Sequence, residues 1–216
     1  MEKNKTITKQ KSSNNKTITC ENRKRDNHSV YTTIGASNHT DNKRAEYDFY
    51  VTDPKALQEL LKHEKFNSFV WEPACGLCHL SKVLAENGYI VWSSDIVDRC
   101  GNATFDFLGE NLIDWHGDII TNPPYNLAAE FVERAIECID EGNRVCMLLR
   151  IQFLEEKKNK ELFDKYPPKY IYVSSRINCM RNGEEQHQTS TFSTVRFGWY
   201  IWEKGFKGEP TIRWFN

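Results

Sequence analysis

Asn122, Pro123, Pro124 and Tyr125 put a carboxamide, two prolines and a phenol ring at consecutive positions. Each proline has a fixed φ and no N–H, so the turn is stiff. The residue before a proline is pushed to extended backbone. Asn122 and Pro123 should therefore present their carbonyl oxygens outward at a fixed angle, beside the flat ring of Tyr125. Hydrogen-bond acceptors next to a ring suit a planar group that carries an NH2. Taken alone, the stretch also reads as a rigid strand–helix loop, so its surroundings have to decide.

Upstream lie further residues with chemistry. Glu72-Pro-Ala-Cys-Gly76 is a small-residue turn after a short apolar run. Gly76 lets a ligand approach the backbone, and the start of the following helix favours polar or anionic groups. Asp95 follows Gly76 by 19 positions, the place of an acid that binds ribose hydroxyls. Asp106 and Phe107 offer an acceptor and a flat apolar surface, or Phe105 and Phe107 are simply core. Cys75-Gly-Leu-Cys78-His79 matches the spacing of covalent haem attachment and also admits a zinc or redox role. The favoured reading is coincidence inside a cofactor turn, with no metal required.

These residues need elements to hold them. Asp53 before Pro54 reads as a helix N-cap with proline at the first helical position, and Ala56, Leu57, Leu60 and Leu61 give that helix an apolar face. Phe69–Glu72 reads as a buried strand, followed by a helix through Leu80, Val83 and Leu84. Tyr89–Asp95 reads as a second strand and Gly117–Thr121 as the strand feeding the proline turn. Leu127, Phe131, Ala135 and Ile139 recur at helical spacing after it. Arg144–Leu149 reads as a central strand, Leu154–Lys165 as a helix, and Lys169–Val173 and Thr194–Trp202 as strands. Strands alternating with helices imply an α/β fold with a doubly wound sheet. Between the last two strands, Ser174–Phe192 is a long polar segment, and long loops are often functional. Gly205, Gly208 and Pro210 break up the C-terminal stretch.

At 216 residues, with 39% hydrophobic and 12% aromatic content, the chain reads as one domain with an appendage. No apolar run approaches the roughly 20 residues of a membrane span, and no signal-peptide pattern opens the chain. The seven cysteines are odd in number and scattered, which suggests reduced, buried thiols in a cytoplasmic protein. Residues 1–44 hold ten Lys/Arg and four Asp/Glu, a balance of +6, whereas residues 45–216 hold 19 and 26, a balance of −7. A polar basic arm, disordered or weakly ordered, is expected over 1–44, ahead of a single acidic domain over 45–216. The arm suits phosphate contacts; the acidic body does not.

Together, Glu72-Pro-Ala-Cys-Gly76, Asp95, Asp106-Phe107 and Asn122-Pro-Pro-Tyr125 stand in the order found in S-adenosylmethionine-dependent amino-methyltransferases. From about Tyr47 to the C-terminus the chain resembles a small DNA adenine-N6 methyltransferase of the kind carried by phages and prophages. The resemblance implies a Rossmann-like methyltransferase fold with a seven-stranded sheet, parallel except for one antiparallel strand near its edge. It implies S-adenosylmethionine as cofactor, held by Tyr50, Thr52, Glu72, Ala74, Gly76, Asp95, Ile96, Asp106, Phe107 and Asn122. It implies a catalytic role for Asn122, Pro123 and Tyr125. A flipped adenine would meet Pro124, Tyr125 and Phe131, with Arg176 and Arg181 as candidate contacts to nucleic acid. The family usually has a second glycine where Cys78 stands. Similar proline turns serve enzymes that methylate RNA bases or the glutamine amide of proteins, and an inactive binding protein on the same scaffold is a further alternative. Only 94 residues follow Asn122, too few for a separate target-recognition domain beside the sheet.

Overall fold

Strand periodicity sorts the core into two layers in the computed structural model, which describes residues 50–173, 179–181 and 196–215. Successive strand side chains point to opposite faces. Along β6 (Arg144–Arg150), Val145, Met147 and Leu149 join one core cluster, and Cys146 and Leu148 join the other. β2 (Phe69–Glu72) divides in the same way between Trp71 and Val70, and β5 (Asp118–Thr121) between Ile119 and Ile120. A strand with two buried faces must be covered twice. Helices α1 (Pro54–His63) and α2 (His79–Glu86) cover one face; α3 (Ala128–Cys138) and α4 (Lys160–Lys165) cover the other.

The remaining strands are β1 (Tyr50–Thr52), β3 (Ile90–Asp95), β4 (Ala103–Thr104), β7 (Tyr170–Val173), β8 (Cys179–Arg181), β9 (Phe197–Glu203) and β10 (Thr211–Trp214). Eight strands form the main sheet in the order β10-β7-β9-β6-β5-β2-β3-β4. Only β9 runs antiparallel to its neighbours β6 and β7. The single antiparallel strand near one edge agrees with expectation. The eighth strand does not: β10 adds to β7 in parallel, with Thr211 opposite Tyr170, in a stretch whose glycines and proline argued against regular structure. β1 and β8 form a separate antiparallel pair, with Thr52 opposite Cys179.

Local chemistry explains the helix starts. Asp53 Oδ1 accepts the Lys55 N–H at 2.9 Å and Pro54 occupies the first turn of α1, as the sequence led one to expect. The charged stretch from Leu154 fails as one helix. It forms short 3-10 turns at Ile151–Leu154 and Lys157–Asn159 before α4 begins at Lys160. Asn159 donates its side-chain N–H to the Phe153 carbonyl at 3.0 Å, a local bond that competes with continuous helix.

Buried acids tie the amino ends of the strands together. Asp118 accepts the N–H groups of Asn67 and Arg144, each at 2.7 Å. Glu64 accepts from Arg144 at 3.0 Å, from Arg213 at 2.9 Å and from the Tyr172 hydroxyl at 2.5 Å. That hub links the end of α1 to β6, β7 and β10. Among the described residues, no helix is long and apolar enough to cross a membrane.

Candidate active site

The chain leaves β2 for β3 and β4 on one side, then crosses back to β5 on the other. This reversal leaves a crevice at the carboxyl ends of β2 and β5, where open α/β sheets bind ligands. Glu72 ends β2 and Thr121 ends β5. The sheet therefore delivers the glycine turn and the proline turn to the same end of the molecule.

After β5 the backbone runs through Asn122 and Pro123 to Pro124, which has φ −55° and ψ 121°. A 3-10 turn over Tyr125–Leu127 then leads into α3. Asn122 Nδ2 donates to the Thr52 hydroxyl at 2.8 Å. This bond uses the donor end of the carboxamide and fixes its plane, so that Oδ1 is the end able to accept from a substrate. Thr52 is buried. The sequence reading gave it to the cofactor; the structure brings it against Asn122.

Tyr125 is half-buried, with its ring 5.6 Å from that of Phe197 on β9. The guanidinium carbon of Arg150 lies 4.6 Å from the Tyr125 ring centroid. Sequence reasoning missed Arg150. A cation at the carboxyl end of a central apolar strand was the signal available.

On the β2 side the turn is tightly wired. Gly76 has φ 52° and donates its N–H to Asp95 Oδ2 at 2.9 Å. Asp95 Oδ1 also accepts from the Val97 N–H at 3.1 Å and from Arg99 at 3.0 Å. Ile96, expected against an adenine ring, is 49% exposed. Asp106 is exposed and accepts the Leu108 N–H at 3.1 Å. Phe107 is buried, edge-on to Trp71 at 5.0 Å and 5.0 Å from Phe131. Phe107 and Phe131 thus belong to the core beneath the crevice, and Ala74 packs against that same cluster. Tyr50 stands in β1, opposite Arg181 of β8. Arg176 lies outside the described residues, as does nearly all of the 174–192 segment except β8.

Glu72 is buried and receives the Ser81 hydroxyl, which also contacts the Ser93 hydroxyl at 2.5 Å. Burial pushes the Glu72 carboxyl up to about 8, so it is mainly protonated at neutral pH. The expectation of reduced thiols fails next to it. Cys78 and Cys100 are joined by a disulfide, with Cα atoms 6.3 Å apart. β2 and β3 are adjacent and parallel, so the loops leaving their carboxyl ends lie side by side, a juxtaposition invisible in linear spacing. Cys78 has φ 60°, a left-handed conformation that costs an ordinary residue roughly 1–2 kcal/mol. That conformation accounts for a glycine at the corresponding place in the family the sequence resembles. The Cys75 thiol, buried beneath, is pushed up to about 12, by burial first and then by the Glu72 and Asp95 carboxylates.

No protein-family model matches the chain, and comparison with curated proteins gave no match. Solved structures do resemble it. A predicted O-methyltransferase from Agrobacterium tumefaciens superposes with a TM-score of 0.53 at 14% identity, over 75% of this chain and 85% of that one. A proposed RNA methyltransferase from Pyrococcus horikoshii gives 0.50 at 13% identity, over 83% and 98%. The type IIG restriction endonuclease BpuSI gives 0.50 at 15% identity, over 75% of this chain but only 26% of its own length. At these identities the likeness speaks to architecture, and with the strand order above it shows that the chain has the Rossmann-like methyltransferase fold.

Proposed function

We propose that this protein transfers a methyl group from S-adenosylmethionine to the exocyclic N6 amine of adenine in DNA. The observation that carries the reading is the Asn122–Tyr125 turn at the sheet's reversal, with its carboxamide fixed by Thr52 and the Gly76–Asp95 turn on the adjoining strand.

The residues present fit the cofactor. Gly76 has the left-handed backbone of a close-approach turn, Ile96 is an exposed apolar side chain, and Asp95 is an acid at the end of β3. Asp95 already accepts three bonds of the about four a carboxylate takes, so ribose hydroxyls would share it with Arg99 or displace Arg99. Glu72 would hold the methionine side, with Tyr50 closing that end and Thr52 holding Asn122 beside it. When bound, S-adenosylmethionine supplies an electrophilic sulfonium methyl.

The chain's own residues do the rest. An aromatic amine is a poor nucleophile because its lone pair is spread into the ring. Asn122 Oδ1 and the Pro123 carbonyl would accept its two N–H bonds and aim the nitrogen's lone pair, so that positioning is the main catalytic term. As positive charge develops on that nitrogen, the same dipoles stabilise it. The proton then leaves to solvent without a strong base. Tyr125, braced by Arg150 and Phe197, would stack on a base extruded from the duplex, a contact worth about 1–3 kcal/mol. Pro124 would bound the base site, with Phe131 packed in the core behind it, and Arg181 and Arg176 would reach the nucleic acid.

RNA is the second acceptor to weigh, because a proposed RNA methyltransferase shares the fold and RNA adenine carries the same planar amine. Incubation with methyl-labelled cofactor and separate pools of duplex DNA, single-stranded DNA, RNA and protein decides between them. Label is expected in DNA; label confined to RNA or protein would overturn the assignment.

A further inference from the structure

We propose that Cys75, Cys78 and Cys100 form a binding site for a thiophilic metal cation, with zinc(II) as the ion the donor set suits. Cys75 and Cys78 flank Gly76 in the turn proposed for the cofactor, but metal binding by the three sulfurs does not depend on methyl transfer. The three Sγ atoms all lie within 4.8 Å of one another. Thiolates bind zinc at about 2.3 Å in tetrahedral geometry, which sets their mutual separation at about 3.8 Å. The Cys78 and Cys100 sulfurs are bonded to each other here, at about 2 Å, so reduction must let that pair part by about 2 Å before all three donors surround one ion.

The backbone presents the sulfurs for this. Cys75 and Cys78 have the C-x2-C spacing common in zinc sites. The Cys78 N–H donates to the Cys75 carbonyl at 2.7 Å, closing a tight turn. Gly76 and Cys78 both have positive φ, which a ligating side chain at Cys78 would justify where glycine is otherwise the natural choice. The third donor is fixed independently. Asn102 Oδ1 accepts the N–H of Arg99 at 3.0 Å and that of Cys100 at 3.4 Å. The Cys75 N–H donates to the Ser94 carbonyl at 3.0 Å, locking the two loops together. Soft sulfur donors in this arrangement select zinc or copper(I) over magnesium or calcium.

Cys78 and Cys100 share a disulfide here, so loading follows reduction. A dithiol reductant gives up two electrons and two protons and becomes a disulfide itself, while the Cys78–Cys100 bond is replaced by two thiols. Metal binding then displaces the three thiol protons to solvent.

The test uses the full chain, reduced with a dithiol, freed of reductant without air and titrated with zinc against a chromophoric chelator. One zinc per chain is expected, with Cys75, Cys78 and Cys100 protected from alkylation and Cys138 unaffected by the metal. Cobalt(II) should give a thiolate-to-metal charge-transfer band. Cys100→Ser should lower zinc affinity by about 100-fold or more, because loss of even an outer-shell partner costs about 10- to 100-fold. Cys78→Gly removes a donor while suiting the left-handed turn, so folding is spared and affinity should fall equally. Failure of the reduced protein to bind zinc stoichiometrically, or unchanged affinity in Cys78→Gly, would overturn the proposal.

Discussion

Replacing Thr52 by valine keeps the shape of a buried side chain and deletes the hydroxyl that holds the Asn122 carboxamide at 2.8 Å. Leaving a buried donor without its acceptor costs about 1–3 kcal/mol, which is the upper range for this half-buried carboxamide. Where the amide rotates to recover part of that, Oδ1 moves off the position needed for the target amine. If the whole cost falls on the transition state, with about 1.4 kcal/mol per factor of ten, the rate drops about 5- to 150-fold. The loss should appear in kcat, with the affinity for S-adenosylmethionine changed by less than about threefold. Thr52→Ser keeps the hydroxyl and should retain most of the rate. The assay is single-turnover methyl transfer beside equilibrium binding of the cofactor. Wild-type kcat in Thr52→Val, or a loss confined to cofactor affinity, would refute the positioning role.

Other expectations follow from the same geometry. Arg150→Ala removes the guanidinium beside the Tyr125 ring, a contact worth about 0.5–1 kcal/mol, and should raise KM for the nucleic acid about two- to fivefold in steady-state kinetics. The folded protein holds the Glu72 proton up to pH about 8, against about 4.5 for a glutamate in the unfolded chain. Between those values the folded state binds more protons than the unfolded chain, so stability falls as pH rises. Glu72→Gln should flatten that decline and stabilise the protein at pH values above about 8 by on the order of a few kcal/mol, read from denaturant unfolding. Glu64→Ala removes the acid shared by Arg144, Arg213 and Tyr172, leaving the largely buried Arg144 with the longer 3.8 Å pair to Asp118, and should cost roughly 3 kcal/mol, a fall in Tm of roughly 6–12 °C.

Much of the fold was legible because it rests on local rules. Asp53-Pro54 marked the start of α1 in the chain alone, and the apolar strands β2, β5 and β6 announced themselves by composition. Asn122–Tyr125 was legible for a similar reason, since two prolines dictate backbone shape wherever they occur. What stayed hidden depends on who meets whom. β10 carries glycines and a proline just ahead of it, and it forms because β7 offers an unpaired edge and Glu64 binds Arg213. The Thr52–Asn122 bond spans 70 positions. Cys78 and Cys100 meet because β2 and β3 are parallel neighbours, a fact of topology. α4 came out shorter than its charge pattern suggested because Asn159 Nδ2 donates back to the Phe153 carbonyl, a local bond that competes with helix.

Asn122 is proposed to direct methyl transfer to an adenine amine. Duplex DNA treated with labelled cofactor and either the wild-type protein or Asn122→Ala, then digested to nucleosides, tests it most directly. Labelled N6-methyladenine is expected from the wild type and none from Asn122→Ala, with both proteins binding the cofactor about equally. Label on a different base, or undiminished N6-methyladenine from Asn122→Ala, would contradict it.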